Sequence, residues 1–516
     1  MDRTLSDTTA HLLVQGGVQR LYYPAGDRNT LLPAAARREP ALRCIAVCHA
    51  ETAAFAAAAE ALLTGQASAC CGCGASAVLS LLRGLCEARR SGAPVVALVQ
   101  RSAADEDGGQ MFPAAALLRH VGADCFRAHA PGQVVSSVLA ALRTARARRG
   151  PAVAELPAAA LAAPAEAPAL VGDLFPAPSA AACPSGDSLL RLATLVNKAA
   201  RVTFLCGIGC AGAKQDIVSL ARRVQAPIAY TLRAKDVMEG DNPCEVGMAG
   251  PMGWGGAPVA VADCDLLIMW GTDFPFEAAL PVHTAVVQVD TDAAALGRRV
   301  PLALGVHGDV REVARALLPL IRRDRGDEHL CAARCRHRRC VAEMEQPVRA
   351  PEGGDSSLHA EYLMRLVSDL AEPDAVFTAE SGEPLLWAAR YLRTADARRL
   401  LGSFRLAADS CALAMALGAK AAFPSRQVIA LCHAEGLSRL SGLLRTLRDE
   451  HLAVKILVYN RARESEEGSS CPDFAALAQS MGLPAERIDT EEQAGTAVKR
   501  WLAQPCPALL DASVEH

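Results

Sequence analysis

Short runs of apolar residues alternate along the chain with longer segments of helical periodicity. The run at 43–48, for example, is followed by a helical pattern from about 52 to 63. Apolar runs of this length, separated by helical patterns, are typical of buried strands in parallel sheets. Runs of the same kind lie at 93–99, 201–206, 227–230, 265–270, 285–290, 375–378, 427–431 and 454–459. The alternation predicts an α/β protein.

Two interruptions divide this pattern into three parts. The stretch 156–185 is rich in proline and alanine and has little periodicity, and the stretch 322–354 is strongly charged. A chain of 516 residues is also too long for a single hydrophobic core. The sequence therefore predicts three α/β domains, at 1–165, 186–321 and 355–516.

Composition narrows the class of protein. Hydrophobic residues make up 51%, charged residues 21%, and the formal net charge is -3, which argues against nucleic-acid binding and against a polybasic membrane surface. Aromatic residues are only 4%, so alanine, leucine and valine must fill the core. No apolar run reaches the roughly 18 residues of a membrane span, and the N-terminus lacks the layout of a signal peptide. Without a secretory signal, the 19 cysteines predict reduced thiols and a cytoplasmic protein.

A glycine motif follows the strand at 201–206. It reads Gly207-Ile-Gly209-Cys210-Ala-Gly212 and opens a predicted helix. Glycines in this position let the backbone turn sharply and approach a phosphate at the helix N-terminus, although a tight turn alone would also require them. The next strand leads to Leu232-Arg233 with no acid to hold a ribose, so an ordinary NAD site is not expected.

The segments 206–213, 232–235, 246–250 and 271–275 resemble the central domain of pyruvate oxidases. The likeness continues through His49, 53–55, 387–392 and 399–404, so the chain resembles the thiamine diphosphate enzymes, in particular the group of quinone-dependent pyruvate dehydrogenase and pyruvate oxidase. The resemblance implies a pyrimidine-binding, a Rossmann-like FAD-binding and a diphosphate-binding domain. It also implies a homodimer or homotetramer, because in this family the thiamine cofactor lies between two subunits.

The resemblance also assigns a flavin site to the central domain. Arg233 and Lys235 suit the diphosphate of FAD, and Asp290 at a strand end suits a ribose hydroxyl. Alternatively, the matching residues remain only because the fold needs them. The full set that would line the site is Gly207, Gly209, Cys210, Arg233, Lys235, Gly250, Met252, Thr272, Phe274, Pro275, Asp290 and Asp309.

The thiamine motifs are altered. The family places a catalytic Glu directly after the first-domain His, but here His49 is followed by Ala50 and then Glu51. Glu51 is a poor substitute, because neighbouring side chains of a helix point about 100° apart. The resemblance thus implies weakened activation of the cofactor.

The diphosphate motif is altered more severely. The family uses Gly-Asp-Gly and, further on, a pair of Asn residues; the matching positions are His433-Ala434-Glu435 and Asn460-Arg461. Magnesium requires oxygen ligands, which neither Ala434 nor Arg461 supplies, and Glu435 adds negative charge beside the diphosphate. We therefore expect neither thiamine diphosphate nor magnesium to bind.

Two weaker patterns leave alternatives open. His433, Arg461 and Arg405 map to the former cofactor pocket and could hold a small anion, unless Arg461 pairs with Glu435 and fills the space. Cys331, Cys335, His337 and Cys340 lie in the charged bridge, but their spacing is not that of a zinc site, which favours a solvated helix.

Three functional hypotheses follow. The first is a pyruvate oxidase-like FAD protein without thiamine catalysis, acting as a regulatory or partner subunit, in a homo-oligomer or with an active homologue. The second is an active pyruvate dehydrogenase (quinone) or related 2-oxo acid decarboxylating oxidoreductase. The third is a flavoprotein in which FAD acts without thiamine. The sequence stops about where the third domain would end, so neither a lipid-binding tail nor stable membrane binding is expected.

Overall fold

Three sheets of parallel strands form the framework of the molecule, which confirms the predicted α/β class. In this computed structural model the described residues are 3–26, 30–101, 114–165, 181–272, 274, 276, 280, 284–322, 326–345, 357–394, 397–461 and 472–515. We call 3–165 the first module, 181–322 the second and 357–515 the third; the helix α13 (Glu328–Glu345) bridges the last two.

Six described strands of the first module form a sheet in the order β2-β1-β3-β4-β6-β5. Helices cover both of its faces, as the continuous burial of its central strands requires. The elements are α1 (Leu5–Gln15), β1 (Arg20–Pro24), α2 (Leu31–Ala36), β2 (Arg43–Val47), α3 (Ala50–Thr64), β3 (Ser68–Cys73), α4 (Gly74–Ser91), β4 (Val95–Arg101), α5 (Ala114–His120), β5 (Asp124–Arg127), α6 (Val134–Arg148), β6 (Pro151–Pro157) and α7 (Ala158–Ala162).

The sheet of the second module has the order β12-β11-β10-β7-β8-β9 among the described strands. The chain runs from β7 outward to one edge and then returns to the other side of β7. Its elements are α8 (Gly186–Lys198), β7 (Val202–Cys206), α9 (Lys214–Val224), β8 (Ile228–Tyr230), α10 (Lys235–Met238), β9 (Glu245–Met248), α11 (Ala257–Ala262), β10 (Leu266–Trp270), β11 (Ala285–Asp290), β12 (Leu304–His307) and α12 (Val310–Leu317).

The third sheet follows the order β13-β19-β17-β16-β14-β15, with β18 also paired to β19. Here β14 is the strand at which the direction of winding reverses. The described elements are β13 (Leu358–His359), α14 (Ala360–Leu370), β14 (Val376–Ala379), α15 (Glu383–Tyr391), β15 (Arg399–Gly402), α16 (Ala412–Ala422), β16 (Val428–His433), α17 (Ala434–Arg439), α18 (Gly442–Asp449), β17 (Val454–Arg461), α19 (Phe474–Ser480), β18 (Ala485–Ile488), α20 (Glu491–Leu502) and β19 (Ala508–Glu515).

Small residues determine how the first and third modules meet. Helix α3 consists largely of alanine and is buried over most of its length between α4 and α16, so it needs no polar face. Its carbonyl at Ala56 lies so close to α16 that a Cβ on Gly418 would stand only 2.1 Å from that oxygen. The composition therefore predicted this core correctly, because alanine and glycine allow two helices to approach more closely than aromatic side chains would.

None of the helices in the described part of the chain combines the length and hydropathy that spanning a bilayer requires.

We predict that Gly418→Ala destabilises the protein by about 1–3 kcal/mol, because the added methyl must push α3 and α16 apart. Gly495→Ala in α20 is the matched control, since nothing lies within 4 Å of the added carbon. There the same change should raise the free energy of unfolding by about 0.5–1 kcal/mol. Urea unfolding measures the free energy of unfolding of both variants. Equal changes at the two sites would show that Gly418 is not in close contact with α3.

Candidate functional site

A crevice opens in the third sheet where the chain reverses its winding direction. β14 lies between β15 and β16, and the connections that leave the carboxyl ends of β14 and β16 cover opposite faces. In open α/β sheets ligands bind at this point. A cavity of about 240 Å³ is present there, lined by Ser381, Gly382, Glu383, Pro384, His433, Ala434, Glu435 and Tyr459.

Glu380 lies beside the crevice, next to the lining residues Ser381 and His433. It directly follows β14, its side chain is only 1% exposed, and its Oε2 accepts the backbone N–H of His433 at 3.0 Å. A Cβ on Gly436 would lie 2.1 Å from that oxygen, so the carboxyl group packs against the first turn of α17. Burial, with Asp409 and Glu435 nearby, raises the pKa of Glu380 to about 8. Glu380 is therefore mainly protonated at neutral pH.

His433, Ala434 and Glu435 lie together at this turn, as the sequence indicated. The Nδ1 atom of His433 accepts the N–H of Gly436 at 3.0 Å and caps α17, which assigns its ring proton to Nε2, 3.4 Å from Glu380. Ala434 begins the helix and presents only a methyl group. The Glu435 side chain is 80% exposed, with Oε2 at 3.2 Å from Nδ1 of His433.

Asn460 is fully buried but does not line the cavity. Its Nδ2 donates to Asp511 at 3.0 Å and to the Pro472 carbonyl at 3.1 Å. The side chain of Arg461 lies outside the described residues, so its pairing with Glu435 stays a prediction. Arg405 donates to the carbonyl of Arg90, near the end of α4, and is not part of the described cavity lining.

In the first module, Ala50 begins α3 and offers no carboxylate where the family has its catalytic Glu. The adjacent Glu51 is buried and forms an ion pair with Arg83. Arg83 also pairs with Asp409 of the third module, which in turn pairs with Arg439. This row of alternating charges joins the two modules and gives Glu51 a structural contact of its own. That Glu51 does not replace the missing Glu stays a prediction.

The second sheet has a corresponding reversal point between β7 and β10. Gly207 and Gly209 follow β7, and Gly271 and Thr272 follow β10. A Cβ on Gly207 would lie 2.4 Å from the Gly271 oxygen, and one on Gly209 would lie 2.7 Å from the Gly271 Cα. The N–H of Gly209 donates to the Gly271 carbonyl at 3.0 Å. These glycines therefore allow two loops to touch, and the tight-turn interpretation accounts for them without a phosphate.

The other predicted flavin residues gather along the same edge of the sheet. Asp290 ends β11 and accepts the N–H of Asp292, and its desolvation raises the pKa of its carboxyl. Asp309 caps α12 by accepting N–H groups of Arg311 and Glu312. The remaining described positions are buried Cys210, Gly250 at φ +112°, half-buried Met252 and buried Phe274; Pro275 lies outside the described residues.

The two predicted diphosphate cations already have partners within the chain. Arg233 donates to the carbonyl of Ser91 at the end of α4 at 2.8 Å, and its burial lowers the pKa of its guanidinium to about 10. Lys235 is fully buried and forms an ion pair with Glu239. The Arg233 contact joins the second module to the first, and the Lys235 ion pair lies within the second module. A role of either residue in FAD binding stays a prediction.

The whole chain is similar to known proteins. Three family descriptions match: "Thiamine pyrophosphate enzyme, N-terminal TPP binding domain" over residues 3–119, the central domain over 189–317 and the C-terminal TPP binding domain over 380–462. This chain belongs to the thiamine pyrophosphate enzyme family. The order of the matches agrees with the three parallel sheets.

Three relatives have sequence identities of 35%, 28% and 26% to this chain. An uncharacterized 42.6 kDa protein in the isoamylase 3′ region of Pseudomonas amyloderamosa is 35% identical over 340 residues, 65% of this chain and 86% of that protein. A putative thiamine pyrophosphate-containing protein YdaP of Bacillus subtilis (strain 168) is 28% identical over 99% of this chain and 92% of its own length. Pyruvate oxidase of Lactiplantibacillus plantarum is 26% identical over 96% of this chain and 86% of its own length.

Glu380 is the site residue that the sequence analysis missed. A signal was available, because an acid two residues beyond the predicted strand 375–378 must lie at the carboxyl edge of a parallel sheet. Arg83 and Asp409 gave no such signal, since they meet only when the first and third modules pack together.

We predict that Glu380 makes the protein less stable as pH rises. Its pKa in the folded state exceeds the ordinary value of 4.5, so folding takes up a proton and the free energy of unfolding falls by up to about 1.4 kcal/mol per pH unit toward pH 8. The Glu380→Gln variant should not show this loss. The difference in free energy of unfolding between the variant and the unmodified chain, measured by urea unfolding, should therefore shift in favour of the variant from pH 5 to pH 8. The exposed Glu435→Gln is the control, and parallel pH profiles for all three proteins would disprove the assignment.

A second prediction concerns the loop between β15 and α16. Ala407 has φ +54°, a left-handed backbone conformation that glycine adopts without strain. Because alanine is strained in the left-handed region, Ala407→Gly should raise the free energy of unfolding by about 0.5–1 kcal/mol. Ala408→Gly, at a buried neighbour without positive φ, should lower it by about 1 kcal/mol. Thermal unfolding at one pH compares the two variants. If Ala407→Gly were less stable than the unmodified chain, the backbone at Ala407 would not be strained.

Proposed function

We propose that this chain is a non-catalytic member of the thiamine pyrophosphate enzyme family. It does not anchor thiamine diphosphate through magnesium, and it binds FAD in its second module. The observation that carries the proposal is the buried Glu380 carboxyl, which accepts the His433 N–H at the crevice where the family motif would hold the diphosphate.

The residues of the crevice do not fit thiamine diphosphate and magnesium. Ala434 supplies no oxygen where the family motif has its metal-binding Asp. Glu383 and Glu435 line the space, and their carboxylates repel a diphosphate. No group of three or more His, Cys, Asp or Glu side chains in the described ranges is arranged to hold a metal ion.

The second module fits a flavin dinucleotide better. The residues that the resemblance assigns to FAD converge on the carboxyl edge of the second sheet, on both sides of its reversal point. Asp290 at the end of β11 would accept a ribose hydroxyl, and its raised pKa reflects a desolvated position. When bound, FAD would supply electron-transfer chemistry; the protein residues would orient it and exclude water. Similarity to a pyruvate oxidase at 26% identity supports this assignment.

Such a protein would act as a regulatory or partner subunit, in a homodimer or homotetramer or together with an active homologue. The close fit of α3 to α16 shows that its first and third modules retain a packed interface although catalytic positions have changed. The structure pairs none of the described cysteines in a disulfide, which supports a reducing compartment such as the cytoplasm.

The test uses protein purified without added cofactors. We expect flavin absorption bands and release of FAD on denaturation, and no heat of binding in calorimetry with thiamine diphosphate and magnesium. Asp290→Ala should carry on the order of tenfold less FAD at equal protein concentration, because a charge-assisted hydrogen bond is lost. Saturable, magnesium-dependent binding of thiamine diphosphate would contradict the proposal, as would bleaching of the flavin by pyruvate. A colourless protein that does not bind added FAD would refute its flavin part.

A further inference from the structure

A second cavity lies away from both sites, between the second module, the bridging helix α13 and the third module. Its volume is about 270 Å³. None of the described residues assigned to FAD or to the thiamine crevice lines it. The lining consists of Glu239, Gly240, Glu245, Trp254, His337, Val341, Met344, Glu345, Arg365, Arg390, Tyr391, Leu392 and Arg393.

Two carboxyl groups, those of Glu239 and Glu245, form the floor of this cavity. The Tyr230 hydroxyl lies 3.4 Å from Glu239 and 3.2 Å from Glu245, and Lys235 forms an ion pair with Glu239. Glu239 also accepts the N–H of Thr394 at 2.7 Å. Burial and the neighbouring Glu239 raise the pKa of Glu245 to about 7, so the floor carries little net charge at neutral pH.

The walls are mostly apolar and aromatic. Trp254 packs against His337 with ring centroids 5.2 Å apart, and its Nε1 is buried without a hydrogen-bond partner among the described residues. Val341 and Met344 of α13 and Leu392, after α15, complete the apolar lining. Burial lowers the pKa of His337, so this wall is uncharged. An apolar or aromatic group would therefore be accommodated here.

The mouth is basic. Arg365, Arg390 and Arg393 come from α14, α15 and the segment after α15, and all three line the opening. Glu345 accepts a hydrogen bond from Arg393 at 2.8 Å, and among the described residues Arg390 has no carboxylate within ion-pair distance. Within the described ranges, the three arginines outnumber the two acids near the opening, Glu345 and Glu361, the latter close to Tyr391. Arginine recognises carboxylate and phosphate groups through paired N–H donors.

We propose that this cavity binds a small organic anion, whose carboxylate or phosphate group contacts Arg390 and Arg393 at the mouth and whose apolar or aromatic body lies between Trp254 and Met344. Because its walls come from two modules and the helix that joins them, such a ligand would stabilise their relative arrangement. The inference is independent of whether the second module holds FAD.

Titration calorimetry at low salt tests the site, with phenyl phosphate and benzoate as probes. We expect saturable binding of at least one of them, and at least tenfold weaker binding of inorganic phosphate, which lacks the body, and of phenol, which lacks the charge. The Arg390→Ala/Arg393→Ala variant should lose on the order of tenfold in affinity. Met344→Trp, which fills the cavity but keeps the arginines, should also bind weakly.

Arg445→Ala on α18 is the matched control, since this arginine is 74% exposed and does not line the cavity. It should bind the probes like the unmodified chain. Thermal unfolding without probe should be the same for the arginine variants, because these side chains are at the surface. The proposal is overturned if neither probe binds at millimolar concentration, if inorganic phosphate binds equally well, if the double arginine variant keeps its affinity, or if added FAD displaces the probes.

Discussion

One buried hydrogen bond determines what the third module can bind. The Glu380 carboxyl accepts the His433 N–H at the start of α17, where parallel strands diverge and a ligand would otherwise enter. A carboxyl group held there by the chain itself supplies the acceptor that a bound phosphate would provide. It also lies against Gly436 in the first turn of α17. Under the proposed function the altered motif 433–435 has no diphosphate to accommodate, which is compatible with this arrangement.

The second sheet also reverses its winding direction, but the residues at its reversal point are arranged differently. At its reversal point, two loops touch through Gly207, Gly209 and Gly271. The predicted flavin residues lie along an edge of the kind at which dinucleotides bind, although Arg233 also joins the second module to the first and Lys235 pairs with Glu239. The same residues can therefore be required both by the fold and by a cofactor site.

The sequence predicted the α/β class and the family correctly, since both depend on local patterns and on matching motifs. That Glu51 does not replace the missing catalytic Glu stays a prediction; the structure pairs Glu51 with Arg83, a partner that the sequence did not indicate. The sequence could not show that Arg83 meets Asp409, or that Arg365, Arg390 and α13 enclose one cavity. These contacts join residues far apart in the chain, and only the packing of whole modules brings them together.

The most direct test of this account is a crystal structure of the protein grown with excess thiamine diphosphate and magnesium. The account predicts the Glu380 carboxyl at the His433 amide and no diphosphate beside it. Density for the diphosphate and a magnesium ion in that crevice, with Glu380 displaced, would contradict it.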